Sequence, residues 1–140
     1  MQLIHIHTDG GSRNNPGEAA SGVYITGENN EKIHGFGKRL GIATNNVAEY
    51  TAVLLAYDWL LENRQTFSTD TRISFFMDSN LVYSQLAGLF KIKNNTMLSL
   101  FSQVKQKEKQ LSLPVSYAYI PREKNKEADR YVNLALDNLL

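Results

Sequence analysis

Four carboxylates stand where a carboxylate is conspicuous. Asp9 follows the alternating run Leu3 to Thr8 and precedes Gly10-Gly11, and Asp78 follows the apolar run Arg72 to Met77. Glu49 is the only charge between Val47 and Tyr57, and Asp129 lies beside the apolar stripe Ala128, Val132, Ala135, Leu136, Leu139. Acids gathered at one place repel one another unless cations neutralise them. Oxygen-only ligands suit magnesium or manganese rather than zinc. Each acid also has a local explanation. Asp9 starts a turn, Asn46 and Glu49 match a capping box, Asp78 or Ser79 caps a helix, and Asp129 answers a helix dipole. Whether the four meet depends on the elements that carry them.

Leu3 to Asp9 has the two-residue period of a strand, which Gly10 and Gly11 are expected to end. Ala20 to Thr26 reads as a second strand, and Gly27 to Asn30 as a hairpin turn into a third, Lys32 to Leu40. Gly35 and Gly37 mark that third strand as an edge. Val47 to Glu62 is apolar over most of a helix circumference, so it is expected to be deeply buried. Arg72 to Met77 is a buried strand, and Asp78-Ser79-Asn80 opens a helix to about Leu89. A loop with Lys91 and Lys93 follows, then a helix from Met97 to Gln110 and a strand from Pro114 to Ile120 closed by Pro121. Asn125 has the place of an N-cap for a terminal helix. Two acids therefore end strands and two sit in first turns of helices, and parallel strands would bring the strand ends to one rim, the usual ligand rim of open α/β sheets.

The 140 residues predict a single α/β domain, residues 1–140, with elements in the order βββ, α, β, αα, β, α. Cysteine is absent, which excludes disulfides and thiolate metal sites. The absence of thiols fits a reducing compartment, and no stretch has membrane-spanning length, so a cytoplasmic protein without membrane partners is expected. Fifteen Lys and Arg against 14 Asp and Glu leave a net charge of +1, so the total gives no argument for bulk attraction to a polyanion. Any basic grip must be local, and Arg122, Lys124, Lys126 and Arg130 cluster around one turn.

The chain resembles the type 1 ribonuclease H family. The motifs that carry the resemblance are Asp9-Gly10-Gly11, Asn15-Pro16-Gly17, Thr44-Asn45-Asn46-Val47-Ala48-Glu49, Asp78-Ser79 and Asn125-Lys126-Glu127-Ala128-Asp129, in order and approximate spacing from about residue 3 to 138. The resemblance implies a ribonuclease H-like α/β fold with a five-stranded mixed sheet ordered 3-2-1-4-5, strand 2 antiparallel, and helices on both faces. It implies a monomer that cleaves the RNA strand of an RNA/DNA hybrid with two Mg2+ ions, for which Mn2+ can substitute, leaving 5′-phosphate and 3′-hydroxyl ends. Asp9 would be shared by both ions, Glu49 and Asp78 would hold the first, and Asp129 the second. Substrate contacts are implied for Gly10, Gly11, Asn15, Thr44, Asn45, Asn46, Asn80 and Arg122.

The chain departs from some relatives in two ways. A loop histidine of those relatives is replaced by the Pro121-Arg122-Glu123-Lys124 segment, and Arg122 cannot act as a base at neutral pH. The basic, Trp-rich extension of others is replaced by the short Lys91 to Asn95 loop, so weaker and more salt-sensitive hybrid binding is expected. His5 and His7 share the Asp9 side of their strand, but same-face neighbours on a strand are about 7 Å apart. His5 therefore cannot join Asp9 on one ion.

Overall fold

Strand β1 (Leu3–Arg13), β2 (Gly17–Thr26) and β3 (Lys32–Ala43) are followed by helix α1 (Asn45–Glu62), strand β4 (Arg72–Met77), helices α2 (Asn80–Leu86) and α3 (Asn95–Leu111), strand β5 (Val115–Tyr119) and helix α4 (Lys126–Leu136). This computed structural model describes residues 2–140. The strands form one sheet in the order β3-β2-β1-β4-β5. β2 runs antiparallel to both β1 and β3, whereas β1, β4 and β5 are parallel. The expected topology is the observed one.

Strand alternation divides the apolar residues between two faces. Ile4, Ile6, Val23, Ile25, Ile73, Phe75 and Met77 turn toward α1 and α3, where they meet Tyr50, Val53, Tyr57, Leu60, Val104 and Leu111. Burying one such side chain stabilises by roughly 1.5–3 kcal/mol, so this layer dominates the fold. On the other face a smaller cluster joins Ala20 to Val132, Ala135 and Leu136 of α4. The nearly all-round apolar α1 buries Ala48, Tyr50, Ala52, Val53, Leu54, Ala56, Tyr57 and Leu60 between the sheet and its neighbouring helices.

Two glycines set the height of the helices above the sheet. A Cβ on Gly10 would collide with the backbone of Ala48 and Glu49 in the first turns of α1. A Cβ on Gly22, which pairs with Asp9 across β1 and β2, would collide with the Ala128 carbonyl and the Val132 amide of α4. Helix backbone thus rests directly on strand backbone at both places. Ser21 adds a buried hydroxyl donating to the Ala48 carbonyl at 2.7 Å.

The first strand corrects an expectation. Gly10 and Gly11 do not end β1, which continues to Arg13 through the pairs Gly10↔Ser21 and Gly11↔Ala20. Long-range pairing with β2 outweighs the weak strand preference of glycine. β2 and β3 are likewise longer than expected, beginning at Gly17 and running to Ala43. α2 stops at Leu86 rather than Leu89, and Gly88 follows with φ +78°, a left-handed turn suited to glycine. β3 is the sheet edge, as Gly35 and Gly37 suggested. Among the described residues no helix is long and apolar enough to cross a membrane.

Candidate active site

β4 pairs with β1 only as far as Met77 against Thr8. The next residues, Asp78 and Asp9, therefore emerge side by side where the parallel part of the sheet ends. α1, seated on Gly10, brings Glu49 to the same point. Single carboxylate oxygens of Asp9, Glu49 and Asp78 lie within 4.8 Å of one another. Asp9 is 5% exposed and Glu49 8%, while Asp78 is half-buried. Asp129, in the first turn of α4, lines the same cleft from the other face of the sheet.

None of the first three acids is itself a cap or a turn residue. The N-cap of α1 is Thr44, whose hydroxyl accepts from the Val47 amide at 3.2 Å, so Asn46 and Glu49 form no capping box and neither Asn45 nor Asn46 caps. The N-cap of α2 is Ser79, accepting from the Val82 amide at 3.2 Å, so Asp78 does no capping. Asp9 lies inside a strand and starts no turn.

Among the described residues no cation forms an ion pair with Asp9, Glu49 or Asp78. Burial first, and the neighbouring Asp78 second, push the Asp9 carboxyl up from 3.8 to about 7, against the hydrogen bond it receives from Glu49. Burial also pushes Glu49 well above the usual carboxylate range, reinforced by the charges of Asp9 and Asp78. The Gly10 amide donates to both acids and offsets only part of this. Both carboxyls are thus pushed toward their neutral forms in the absence of a cation. Three clustered carboxylate oxygens, two of them on acids whose charged forms burial disfavours, fit a hard divalent cation.

The cleft, of about 620 Å³, is also lined by Gly10, Gly11, Asn45, Asn46 and Arg122, all expected at the site. Asn15, Thr44 and Asn80 lie outside that lining. Asn15 is nevertheless tied to the rim, because its Oδ1 accepts from the Asn45 amide at 3.0 Å while the Asn45 Oδ1 accepts from the Ser12 amide at 2.8 Å. This interlock docks the β1–β2 turn on the start of α1. Asn80 is exposed, and its Oδ1 accepts from the Ser84 hydroxyl at 3.3 Å. Gly10, expected as a surface for substrate, has a packing duty toward α1 as well.

His5 and His7 stay out of the cleft. The His7 ring stacks on Phe76 with 5.0 Å between centroids, and burial lowers its pKa. His7 lines a separate, smaller cavity with Tyr24, Glu123 and Lys126. Sequence reasoning missed Ser12, Arg13 and Tyr119 as lining residues. Tyr119 ends β5 at 49% exposure beside Tyr83, and a large aromatic just before the Pro121 turn was the available signal. Asn125 was read as a cap, but its side chain makes no capping bond.

Residues 7–135 match the family described as Reverse transcriptase-like. Ribonuclease HI of Halobacterium salinarum is 36% identical over 137 residues, covering 96% of this chain and 65% of that protein. A bifunctional protein of Mycobacterium tuberculosis is 35% identical over 138 residues, 98% of this chain but only 36% of that longer protein. Among solved structures, LC11-RNase H1 in complex with RNA/DNA hybrid superposes with a TM-score of 0.92 at 37% identity, covering 96% of this chain and 97% of that one. The N-terminal RNase H domain of the mycobacterial protein superposes with a TM-score of 0.86 at 32% identity, covering 99% and 96%. Fold, carboxylate cluster and comparisons agree: the chain belongs to the type 1 ribonuclease H family.

Proposed function

We propose that residues 1–140 form one catalytic domain that hydrolyses the RNA strand of RNA/DNA hybrids, leaving 5′-phosphate and 3′-hydroxyl ends, with Mg2+ as the natural cofactor and Mn2+ as a substitute. The observation that carries this reading is the cluster of Asp9, Glu49 and Asp78 oxygens within 4.8 Å of one another. The hybrid bound to LC11-RNase H1 supports the choice of substrate. Asp9 would be common to two ions, Glu49 and Asp78 would complete the first set of ligands, and Asp129 the second. When bound, such a pair activates water for in-line attack at phosphorus and stabilises the leaving 3′ oxygen.

The residues around the acids have duties that follow from their chemistry. Asn15 and Asn45 spend their Oδ1 atoms on backbone amides, and among the described residues neither Nδ2 has a partner. Those free donors suit the acceptor-rich minor groove of a hybrid, where base edges and 2′-hydroxyls are displayed. Asn46, on the cleft wall, adds a third amide. Thr44 keeps α1 wound beside the DNA strand, and Asn80 reaches the RNA strand from the start of α2. Gly11 leaves room for a sugar-phosphate backbone. Arg122, exposed on the cleft wall, steadies the scissile phosphate or draws the product away, since its guanidinium stays charged. The domain works as a monomer, and a chain without cysteine is at home in the cytoplasm.

The test is cleavage of labelled RNA/DNA hybrid beside double-stranded RNA and single strands, with Mg2+, Mn2+ or EDTA. Metal-dependent cutting of the RNA strand of the hybrid is expected, together with loss of cutting in Asp9→Asn. Failure to cut hybrid with either metal, or an Asp9→Asn protein as active as wild type, sinks the reading.

A further inference from the structure

Asn125 has the place of a helix cap and the bonds of a different residue. It is 1% exposed, and its side chain makes no bond to the first turn of α4. Instead Nδ2 donates twice, to the Thr8 carbonyl at 2.9 Å and to Asp78 Oδ2 at 3.3 Å. Thr8 immediately precedes Asp9, so the amide bridges the ends of the two strands that carry acids. The Asn125 carbonyl meanwhile accepts from the Asp129 amide at 3.2 Å, and its own amide donates to the Arg122 carbonyl at 3.0 Å. One residue therefore touches Asp78 directly, Asp9 through the preceding carbonyl, and Asp129 through its backbone.

We propose that Asn125 is a positioning residue of the carboxylate centre, whose amide fixes the orientation of Asp78 and ties the turn bearing Asp129 to the end of β1, so that divalent cations meet a preformed set of ligands. The inference rests on the metal-dependent reading above. Among the described residues the Asn125 Oδ1 is buried without a partner. Such an unmet acceptor is costly, and a residue needed only to cap would have no reason to carry it. Both groups facing Nδ2 are acceptors, so the amide cannot turn over without setting oxygen against oxygen. Aspartate would do the same and add a fifth negative charge. Serine can reach one acceptor and not both. The hydrogen bond to a carboxylate is of the charge-assisted kind, which restrains direction as well as distance.

The test reads metal binding without substrate. Wild type, Asn125→Ala and Asn125→Ser are titrated with MgCl2 while the thermal midpoint is followed, and hybrid cleavage is then measured across the same Mg2+ range. In Asn125→Ala the half-saturating Mg2+ concentration is expected to rise about 10- to 100-fold, the cost typical of losing a partner that orients a metal ligand. KM for hybrid stays near the wild-type value, and activity returns toward it at high Mg2+. A cooperatively melting Asn125→Ala with the wild-type Mg2+ midpoint overturns the proposal. Should the alanine variant not melt cooperatively, Asn125→Ser is judged by the same criterion. If neither variant melts cooperatively, the role is structural and the proposal falls. A wild type whose stability responds to neither Mg2+ nor Mn2+ overturns the metal-dependent reading itself, an outcome distinct from a shifted variant.

Discussion

Asp9→Asn separates what this site costs the fold from what it contributes to chemistry. In the metal-free protein, burial and the Asp78 charge raise the Asp9 carboxyl from 3.8 to about 7. That rise means the folded protein prefers protonated Asp9 by about 4 kcal/mol relative to the unfolded chain. Between the two values the folded state binds the proton and the unfolded state does not, so unfolding free energy falls as pH climbs. The stabilisation is complete below about pH 4 and lost as pH rises through about 7. Asparagine has no proton to lose. At pH 8 in EDTA we expect Asp9→Asn to exceed wild type by roughly 2–4 kcal/mol, the lower figure allowing for the Glu49 hydrogen bond that a charged Asp9 accepts more strongly. For a chain of this size that is on the order of 10 °C in thermal midpoint. The gap should close toward pH 4, and saturating Mg2+ should stabilise wild type much more than the variant. Urea unfolding followed by fluorescence of the single tryptophan, Trp59, between pH 4 and 8 provides the assay. Stability curves for the two proteins that run parallel across this range in EDTA would refute the reasoning. The variant should be the more stable protein and the inactive one, as expected where function maintains uncompensated charge.

Gly10→Ala forces a methyl against the Ala48 and Glu49 backbone, so we expect a loss of about 1–3 kcal/mol in urea unfolding and a fall in kcat as Glu49 is displaced; unchanged stability and kcat would contradict the close seating of α1. Thr44→Ala removes the hydroxyl that caps α1, which should cost about 1 kcal/mol in the same assay. Hybrid binding should be weaker than in relatives with a basic extension but fall along a shallower slope in a logarithmic plot of affinity against KCl, because fewer phosphates are neutralised by Lys and Arg, which corrects the greater salt sensitivity expected from the sequence.

Much of this architecture was legible because the responsible signals are local. β4 was expected at Arg72 to Met77 and lies there, since an apolar run between turn residues is unambiguous. The buried α1 was foreshadowed by a circumference with one charge among apolar residues. What escaped depends on partners far along the chain. β1 passes through two glycines because β2 supplies the pairing and α1 needs the space. Thr44, Asn45 and Asn46 could each have capped α1. Thr44 does so, while Asn45 is held in the contacts with Ser12 and Asn15, more than thirty residues away in the chain for Ser12. Asn125 forgoes its own helix for Thr8 and Asp78, a choice invisible without the sheet order.

Seating α1 and α4 on Gly10 and Gly22 also bears on how the protein tolerates change. Where helices stand off a sheet on side chains, every altered core residue shifts their height, and any catalytic group they carry moves with it. Here main chain lies on main chain at the residues next to Glu49 and Asp129, so the elevation of both acids is largely decoupled from the volumes of the leucines, isoleucines and aromatics further along the helices. A library randomising the core beneath α1 should therefore lose stability clone by clone while its folded members keep a working site. The same library at two glycine positions should yield almost none.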